Sequence, residues 1–229
     1  MTPNVESTSA VPNRAVRRRR VAIAPRAVPG SWGSLKRAMD LVVATVALVL
    51  AAPVIALAAV GIACVSPGSP FFTQERVGKD GRVFRLFKLR TMVDGAHLIH
   101  DELHPYSEVD GPVFKIRNDP RLHPLGKMLR RTSIDELPNL LNVFQGDMSI
   151  VGPRPPLPRE VARYDAFARR RLTVKPGITC LWQISGRSNL SFDEWMRLDN
   201  TYIDTWSPWG DLVILLRTIP AVLRGEGAH

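Results

Sequence analysis

The longest departure from a mixed pattern of apolar and polar positions runs from Leu41 to Val65, 25 residues without a charge and with Thr45 as the only hydroxyl. A helix formed here is apolar on every side. At about 1.5 Å per residue it extends roughly 37 Å, more than the ~30 Å hydrocarbon core of a bilayer. A signal-peptide core is shorter, about 7 to 15 residues, and Gly61-Ile62-Ala63-Cys64 only faintly resembles a lipoprotein cleavage box. Pro53 sits near the middle, where it removes a backbone hydrogen bond and crowds the preceding turn, so a kink or break is expected. Lys36 and Arg37 precede the run, and Arg76, Lys79, Arg82 and Arg85 follow it. Both ends therefore read as cytoplasmic. A re-entrant helix that dips into the membrane and returns reconciles these features, and a straight span with a tolerated proline stays open.

Shorter patterns follow. Ser66-Pro67-Gly68-Ser69-Pro70 is a turn cluster, and Lys79-Asp80-Gly81 offers a hairpin turn between strands at Phe71 to Val77 and Arg82 to Leu89. Residues 93–104 and 121–130 are helix candidates, and Pro112 to Ile116 is a candidate strand. Ser133 with Glu136, and Ser191 with Glu194, each match a capping box, so a helix is expected after each. Leu137, Leu140, Leu141 and Phe144 give the first of these a buried face. Asp211 to Leu223 reads as an amphipathic helix preceded by Trp206 and Trp209. For these tryptophans, and for Trp182 and Trp195, core packing and membrane-interface contact are equally open. Arg130-Arg131 and Arg169-Arg170-Arg171 read as solvated faces or headgroup contacts. The expected fold is α+β and mostly helical, with few short strands. It comprises a disordered basic arm (1–30), a membrane helix (31–66) and a compact membrane-associated domain (67–224) with amphipathic helices.

Charge refines this picture. The 229-residue chain carries a net +10, yet residues 1 to 37 hold eight Arg or Lys against Glu6 alone and so contribute +7. Basicity concentrated ahead of an apolar run suits anionic headgroups of the inner membrane better than nucleic acid, for which no partner role is expected. Cys64 and Cys180 are the only cysteines, without C-x-x-C or a histidine cluster, which argues against a disulfide framework or structural zinc. A magnesium site needs only one or two carboxylates and stays open.

Chemistry concentrates in Arg130-Arg131-Thr132-Ser133-Ile134-Asp135-Glu136-Leu137-Pro138, followed by Val151-Gly152-Pro153-Arg154-Pro155. With Ser133 as a cap, Asp135 and Glu136 fall in a first helical turn, where the dipole lowers carboxylate basicity. An ionised carboxylate can attack phosphorus, and a second can hold a divalent metal. Equally, Glu136 is explained as a capping acid and Asp135 as a favourable first-turn charge. The prolines around Arg154 restrain it in a way that suits a phosphate clamp. No Gly-x-x-x-x-Gly-Lys-Ser/Thr loop is present. Taken alone, these residues lead to membrane-attached phosphate chemistry.

The chain also resembles bacterial sugar transferases of the polyprenyl-phosphate phosphoglycosyl transferase family, the single-membrane-domain (monotopic) kind. The shared text includes Lys36-Arg37-Ala38-Met39-Asp40, Phe71 to Gly78, Phe87-Lys88-Leu89-Arg90-Thr91-Met92, Asp119-Pro120-Arg121, Ser133 to Asn142 and Gly146 to Pro155. It continues through Lys175 to Thr179, Trp182 to Arg187, and Leu198-Asp199 with Tyr202. The resemblance implies that Asp135 is the nucleophile, taking a sugar-1-phosphate from a UDP-sugar with release of UMP before polyprenyl (undecaprenyl) phosphate collects it. It implies Glu136 as a ligand of Mg2+ (or Mn2+), Arg130 and Arg154 as phosphate-binding, and Lys88 and Arg90 as weaker candidates for the same pocket. It implies a re-entrant helix broken near Pro53, although Ala52 stands where the family commonly has serine. Larger relatives carry a further multi-helix domain, and this chain is expected to be the catalytic core, facing the cytoplasm. The segment after Lys175 resembles enzymes that initiate exopolysaccharide or O-antigen units with glucose or galactose phosphate. A homodimer is left open, and the alternative is a non-catalytic, membrane-tethered basic adaptor.

Overall fold

A computed structural model describes residues 32–224, apart from 109–110, 115, 117 and 187–189. The expected basic arm (1–30) and Arg187 lie outside the described residues. The chain is mostly helical with few strands. Helix α1 (Trp32–Val65) is followed by the antiparallel hairpin β1 (Phe71–Val77) and β2 (Val83–Leu89), registered Phe71 to Leu89 and Val77 to Val83. Asp80 and Gly81 adopt φ of 56° and 75°, the left-handed turn expected of Lys79-Asp80-Gly81. Next come α2 (His100–Leu103), α3 (Gly126–Arg131), a six-residue 3-10 segment (Ile134–Asn139) and α4 (Leu140–Gln145). Strand β3 (Ser149–Val151), α5 (Pro158–Ala162), α6 (Ala166–Arg169) and β4 (Gly177–Thr179) precede α7 (Phe192–Thr205) and α8 (Pro208–Arg224). Strands β3 and β4 pair in parallel, Ser149 with Gly177 and Val151 with Thr179.

Helix α1 is the one described helix long and apolar enough, over Gly33–Val65, to cross a membrane. It is not broken at Pro53: the helix is continuous from Trp32 to Val65. A proline withdraws one N–H from the ladder and crowds the preceding turn, so it bends a helix whose bonds on either side still hold. One stripe of the helix packs on the domain along its whole length. Ala44, Ala51 and Ile55 join Leu140, Val143, Ile150 and Ile214, and beyond Pro53, Ala58, Ala59 and Ile62 meet Leu89, Leu125 and Leu129. Alanines on that stripe let the neighbouring elements approach closely, and the outward stripe of Val42, Val46, Val49, Leu50, Val54, Leu57 and Val60 is exposed.

Polar contacts fix the start of α1. Lys36 Nζ bonds Asp211 Oδ2 on α8 at 2.6 Å, and Arg37 donates to Phe144 O at 2.9 Å. Asp40 Oδ1 accepts from Ser149 Oγ at 2.9 Å and Ile150 N at 3.0 Å. Tyr202 OH and Trp206 Nε1 complete the environment of Asp211. The chain's first helix is thus built into the core of the domain that follows.

Several local expectations change. Residues 93–104 are α-helical only at His100–Leu103, because Gly95 (φ 73°) turns the preceding segment and Ala96 and Leu98 donate back only three residues. Over 121–130 the helix waits until Gly126, since Pro124 biases His123 away from helix and Asp119 captures the Arg121 N–H. The described residues of 112–116 form no strand. Ser191 and Glu194 do form a capping box, and α8 contains the expected amphipathic segment. Trp182 and Trp195 are buried and stacked, with ring centroids 4.5 Å apart, whereas Trp209 stands exposed beside Leu212, Leu216 and Ile219.

The β3/β4 pair depends on two facing glycines. A Cβ on Gly177 would lie 2.1 Å from Gly152 N and 2.6 Å from Gly152 O. Gly177→Ala is expected to destabilise the fold by about 3 kcal/mol, a backbone-against-backbone overlap with no flexible atom to yield. Gly33→Ala, with nothing within 4 Å of the new methyl, is expected to leave the thermal melting midpoint unchanged or slightly raised.

Candidate active site

Lys88 follows Phe84 and Leu86 along one face of β2 and so points inward. The segment bearing Asp135 and Glu136 is held against this strand by Asn142, which is fully buried. Its Oδ1 accepts from Phe87 N at 3.1 Å and its Nδ2 donates to Arg85 O at 2.7 Å. Lys88 Nζ consequently lies 2.7 Å from Glu136 Oε1 and 3.8 Å from Asp135 Oδ2. The lysine bridges both acids.

Ser133 is not a cap. It adopts a left-handed conformation (φ 56°) with no side-chain bond to the backbone, and only its carbonyl accepts from Glu136 N, at 3.2 Å. The acids therefore occupy a tight 3-10 turn rather than the first turn of an α-helix, and the dipole argument for low basicity fails. Asp135 is 6 % exposed, and its carboxyl is pushed up to about 6 by burial, with Lys88 opposing, Glu136 adding to the rise and Arg130 also opposing. Burial acts in the same direction on Glu136, but Lys88, Arg154 and Arg76 outweigh it and hold that carboxyl below its ordinary range. Of two adjacent acids, one is kept ionised and the other is brought close to neutral pH.

Arg130, at the end of α3, donates to Thr91 Oγ1 at 3.1 Å. Burial lowers its pKa, with Asp135 and Asp119 opposing. Arg154 leaves β3 on the loop 152–156. Lys88, Arg130, Asp135, Glu136 and Arg154 all line one cavity of about 1090 Å³. Arg90 lies on its wall, but its guanidinium donates to Pro67 O and, at 2.7 Å, to Ser66 O. It fastens the end of β2 to the end of α1.

Three further arginines, Arg76, Arg171 and Arg121, were given no site role by the sequence. Arg76 is buried beside this cavity and donates to Pro155 O at 2.9 Å and Gln74 Oε1 at 2.7 Å. Burial and then Arg154 lower its pKa to about 9, against Glu160 and Glu136. Its place at alternate strand positions with Gln74 was the available signal. Arg171, expected on a solvated face or against headgroups, is buried against Asp199 and Tyr164 instead. Arg121 is paired with Asp119 at 2.6 Å and lies over Phe114, 5.3 Å from the ring centroid.

The sequence profile of bacterial sugar transferases matches residues 32–225. The chain belongs to this family. It is 45 % identical over 194 residues to the galactosyl transferase CpsE of Streptococcus agalactiae serotype III (strain NEM316), covering 84 % of this chain and 43 % of that relative. The exopolysaccharide production protein ExoY of Rhizobium meliloti (strain 1021) is 40 % identical over 202 residues, covering 86 % of this chain and 89 % of the relative. The UDP-glucose:undecaprenyl-phosphate glucose-1-phosphate transferase of Caulobacter vibrioides (strain ATCC 19089 / CIP 103742 / CB 15) is 41 % identical over 207 residues, 85 % of this chain and 72 % of the relative. The chain thus spans about two fifths of the length of the first of these and most of the length of the second.

This bacterial sugar transferase lines its cavity with a buried acid whose pKa is raised, and that arrangement carries a stability cost. With a folded-state pKa near 6 against an ordinary value of 3.8, Asp135 binds its proton more tightly in the folded chain. Its destabilising effect is absent below about pH 3.8, grows through the window to about 6 and is complete above it. Asp135→Asn is therefore expected to raise stability by about 1 to 2 kcal/mol at pH 8 and to leave it unchanged near pH 3.5, as read by thermal melting at the two pH values.

Proposed function

We propose that the protein transfers a hexose-1-phosphate from a UDP-sugar to polyprenyl phosphate through a covalent aspartyl intermediate on Asp135. The observation that carries this reading is the buried Asp135 carboxylate held between Lys88 and Arg130 in a cavity that also admits Arg154 and Glu136. An Asp135 oxygen attacks the phosphorus that bears the sugar. The bond from that phosphorus to the bridging oxygen of the diphosphate breaks, and UMP leaves with the oxygen. An oxygen of polyprenyl phosphate then attacks the same phosphorus, and the Asp135 carboxylate departs. Lys88 and the arginines offset the phosphate charge that otherwise repels a carboxylate nucleophile. A carboxyl near pH 6 is ionised at neutral pH yet remains a better nucleophile than an acid of ordinary strength.

The donor set supports Glu136 as the residue that holds Mg2+. One of its oxygens accepts from Lys88, its other oxygen remains available, and Asp135 adjoins it on the cavity wall. This suits an ion held by one or two carboxylates, with phosphate oxygens and water as its other ligands. When bound, the ion would supply charge neutralisation at the phosphate oxygens. The names of the Caulobacter and Streptococcus relatives support a glucose or galactose donor, and that of the Rhizobium relative supports exopolysaccharide assembly. A tethered adaptor gives no reason to bury a destabilising carboxylate.

Two features support α1 as a re-entrant element in the cytoplasmic leaflet of the inner membrane, with the domain facing the cytoplasm. A helix of 34 residues reaches roughly 50 Å, yet both of its ends stay attached to the same domain, through Lys36 and Asp211 and through Ser66 and Arg90. Its outward stripe is apolar throughout and is matched by Trp209, Leu212, Leu216 and Ile219 on α8. A cysteine placed at Ser69 is expected to resist impermeant thiol reagents applied outside intact cells; ready labelling there would exclude the re-entrant arrangement.

The transfer itself is read by incubating the purified protein with Mg2+ and UDP-glucose or UDP-galactose labelled in the sugar, without lipid acceptor. Label is expected to become protein-bound with release of one UMP per chain, and polyprenyl phosphate to remove it. Label retained by Asp135→Asn would take Asp135 out of the nucleophile role.

A further inference from the structure

The loop that presents Arg154 is anchored in an unusual way. Pro153, Pro155 and Pro156 have no N–H, so the segment is fastened mainly through its carbonyl oxygens. Four consecutive carbonyls each receive a donor. Gly177 N bonds Pro153 O, Arg171 bonds Arg154 O, Arg76 bonds Pro155 O and Val77 N bonds Pro156 O, each at 2.9 Å. Two of these donors are backbone groups of neighbouring strands, and Arg76 also lines the cavity. Arg171 is different: it stands behind the loop, 5 % exposed, and does not line the cavity.

A buried guanidinium is costly unless its charge is met. Here Asp199 of α7, 1 % exposed, lies 2.8 Å from Arg171 Nη2, and Tyr164 OH accepts from Nη1 at 2.9 Å. Asp199 sits two turns beyond the Ser191/Glu194 cap that starts α7. A charged donor makes a stronger bond to a carbonyl than a neutral one, and the prolines transmit any shift of that carbonyl to the whole loop. We infer that Arg171, neutralised by Asp199, is a positioning residue that sets where the Arg154 guanidinium stands in the cavity. It acts on the reaction only through Arg154. The inference rests on the reading of Arg154 as a contact for the donor's phosphates.

The test uses the full chain in detergent, with UDP-sugar turnover read as UMP release and folding read by melting. Arg171→Met combined with Asp199→Leu removes both charges at once, an exchange that buried ion pairs commonly tolerate without loss of stability. KM for the UDP-sugar is expected to rise about tenfold or more with the melting midpoint nearly unchanged, since a displacement near 1 Å at a phosphate contact costs up to about a hundredfold. In an Arg154→Ala background the same pair of changes is expected to cost nothing further. A folded pair variant with normal KM, or an equal loss in both backgrounds, overturns the positioning role. Arg154→Ala with normal kinetics instead overturns the phosphate-contact reading and the inference with it. If the pair variant melts early, Arg171→Lys replaces it: it keeps the charge opposite Asp199 but lacks the fork that reaches both Asp199 and Arg154 O. Its KM is then expected to rise while folding is retained, and an unchanged KM overturns the role.

Discussion

A buried carboxylate, Asp135, beside a partly exposed one, Glu136, loses hydration and is repelled by its neighbour, and the cations gathered around the cavity offset those two effects. Lys88 is brought between Asp135 and Glu136 because Asn142 bonds the backbone of β2 on one side and belongs to α4 on the other. The remaining positive charge comes from segments far apart in the chain: α3 supplies Arg130, β1 supplies Arg76 and the loop after β3 supplies Arg154. The compensation is unequal. Glu136 is held ionised, whereas Asp135 stays close to its titration point near 6. Unequal environments for neighbouring acids are what separate roles in catalysis.

Each cation recruited to the cavity in turn needs partners for its own hydrogen-bonding groups. Arg76 spends its donors on Pro155 O and Gln74, and Arg130 uses Thr91. Arg171, outside the cavity and behind the Arg154 loop, is likewise met by Asp199. Because these partners include the loop carbonyls of Arg154 and Pro155, short strands and 3-10 turns carry the site while those carbonyls still receive donors. Arg90 shows the same economy at the edge, where it closes the end of α1 rather than entering the charged cluster.

The same packing joins the apolar helix to the chemistry. Helix α1 contributes Val43 and Ala47 to the cavity wall and α8 contributes Leu215, Thr218 and Val222, so helix side chains without charge line the same cavity as the charged groups. Asp40 and Lys36 then connect the start of that helix to β3 and α8 through buried bonds. A helix that shares walls with the site is part of the site's structure.

What the sequence determined by itself was local. The Lys79-Asp80-Gly81 hairpin, the Ser191/Glu194 cap, the amphipathic α8 and the uncharged run of α1 each follow from neighbouring residues, whose preferences are read within a turn or two. The adjacency of Asp135 and Glu136 was equally plain. Only tertiary structure decided that Ser133 takes a left-handed turn instead of capping a helix, that burial raises Asp135 instead of a dipole lowering it, and that α1 continues through Pro53. It also turned Arg171 and the Trp182/Trp195 pair inward. Desolvation and long-range pairing depend on which distant segments close over a residue, and that information lies in no window of the chain.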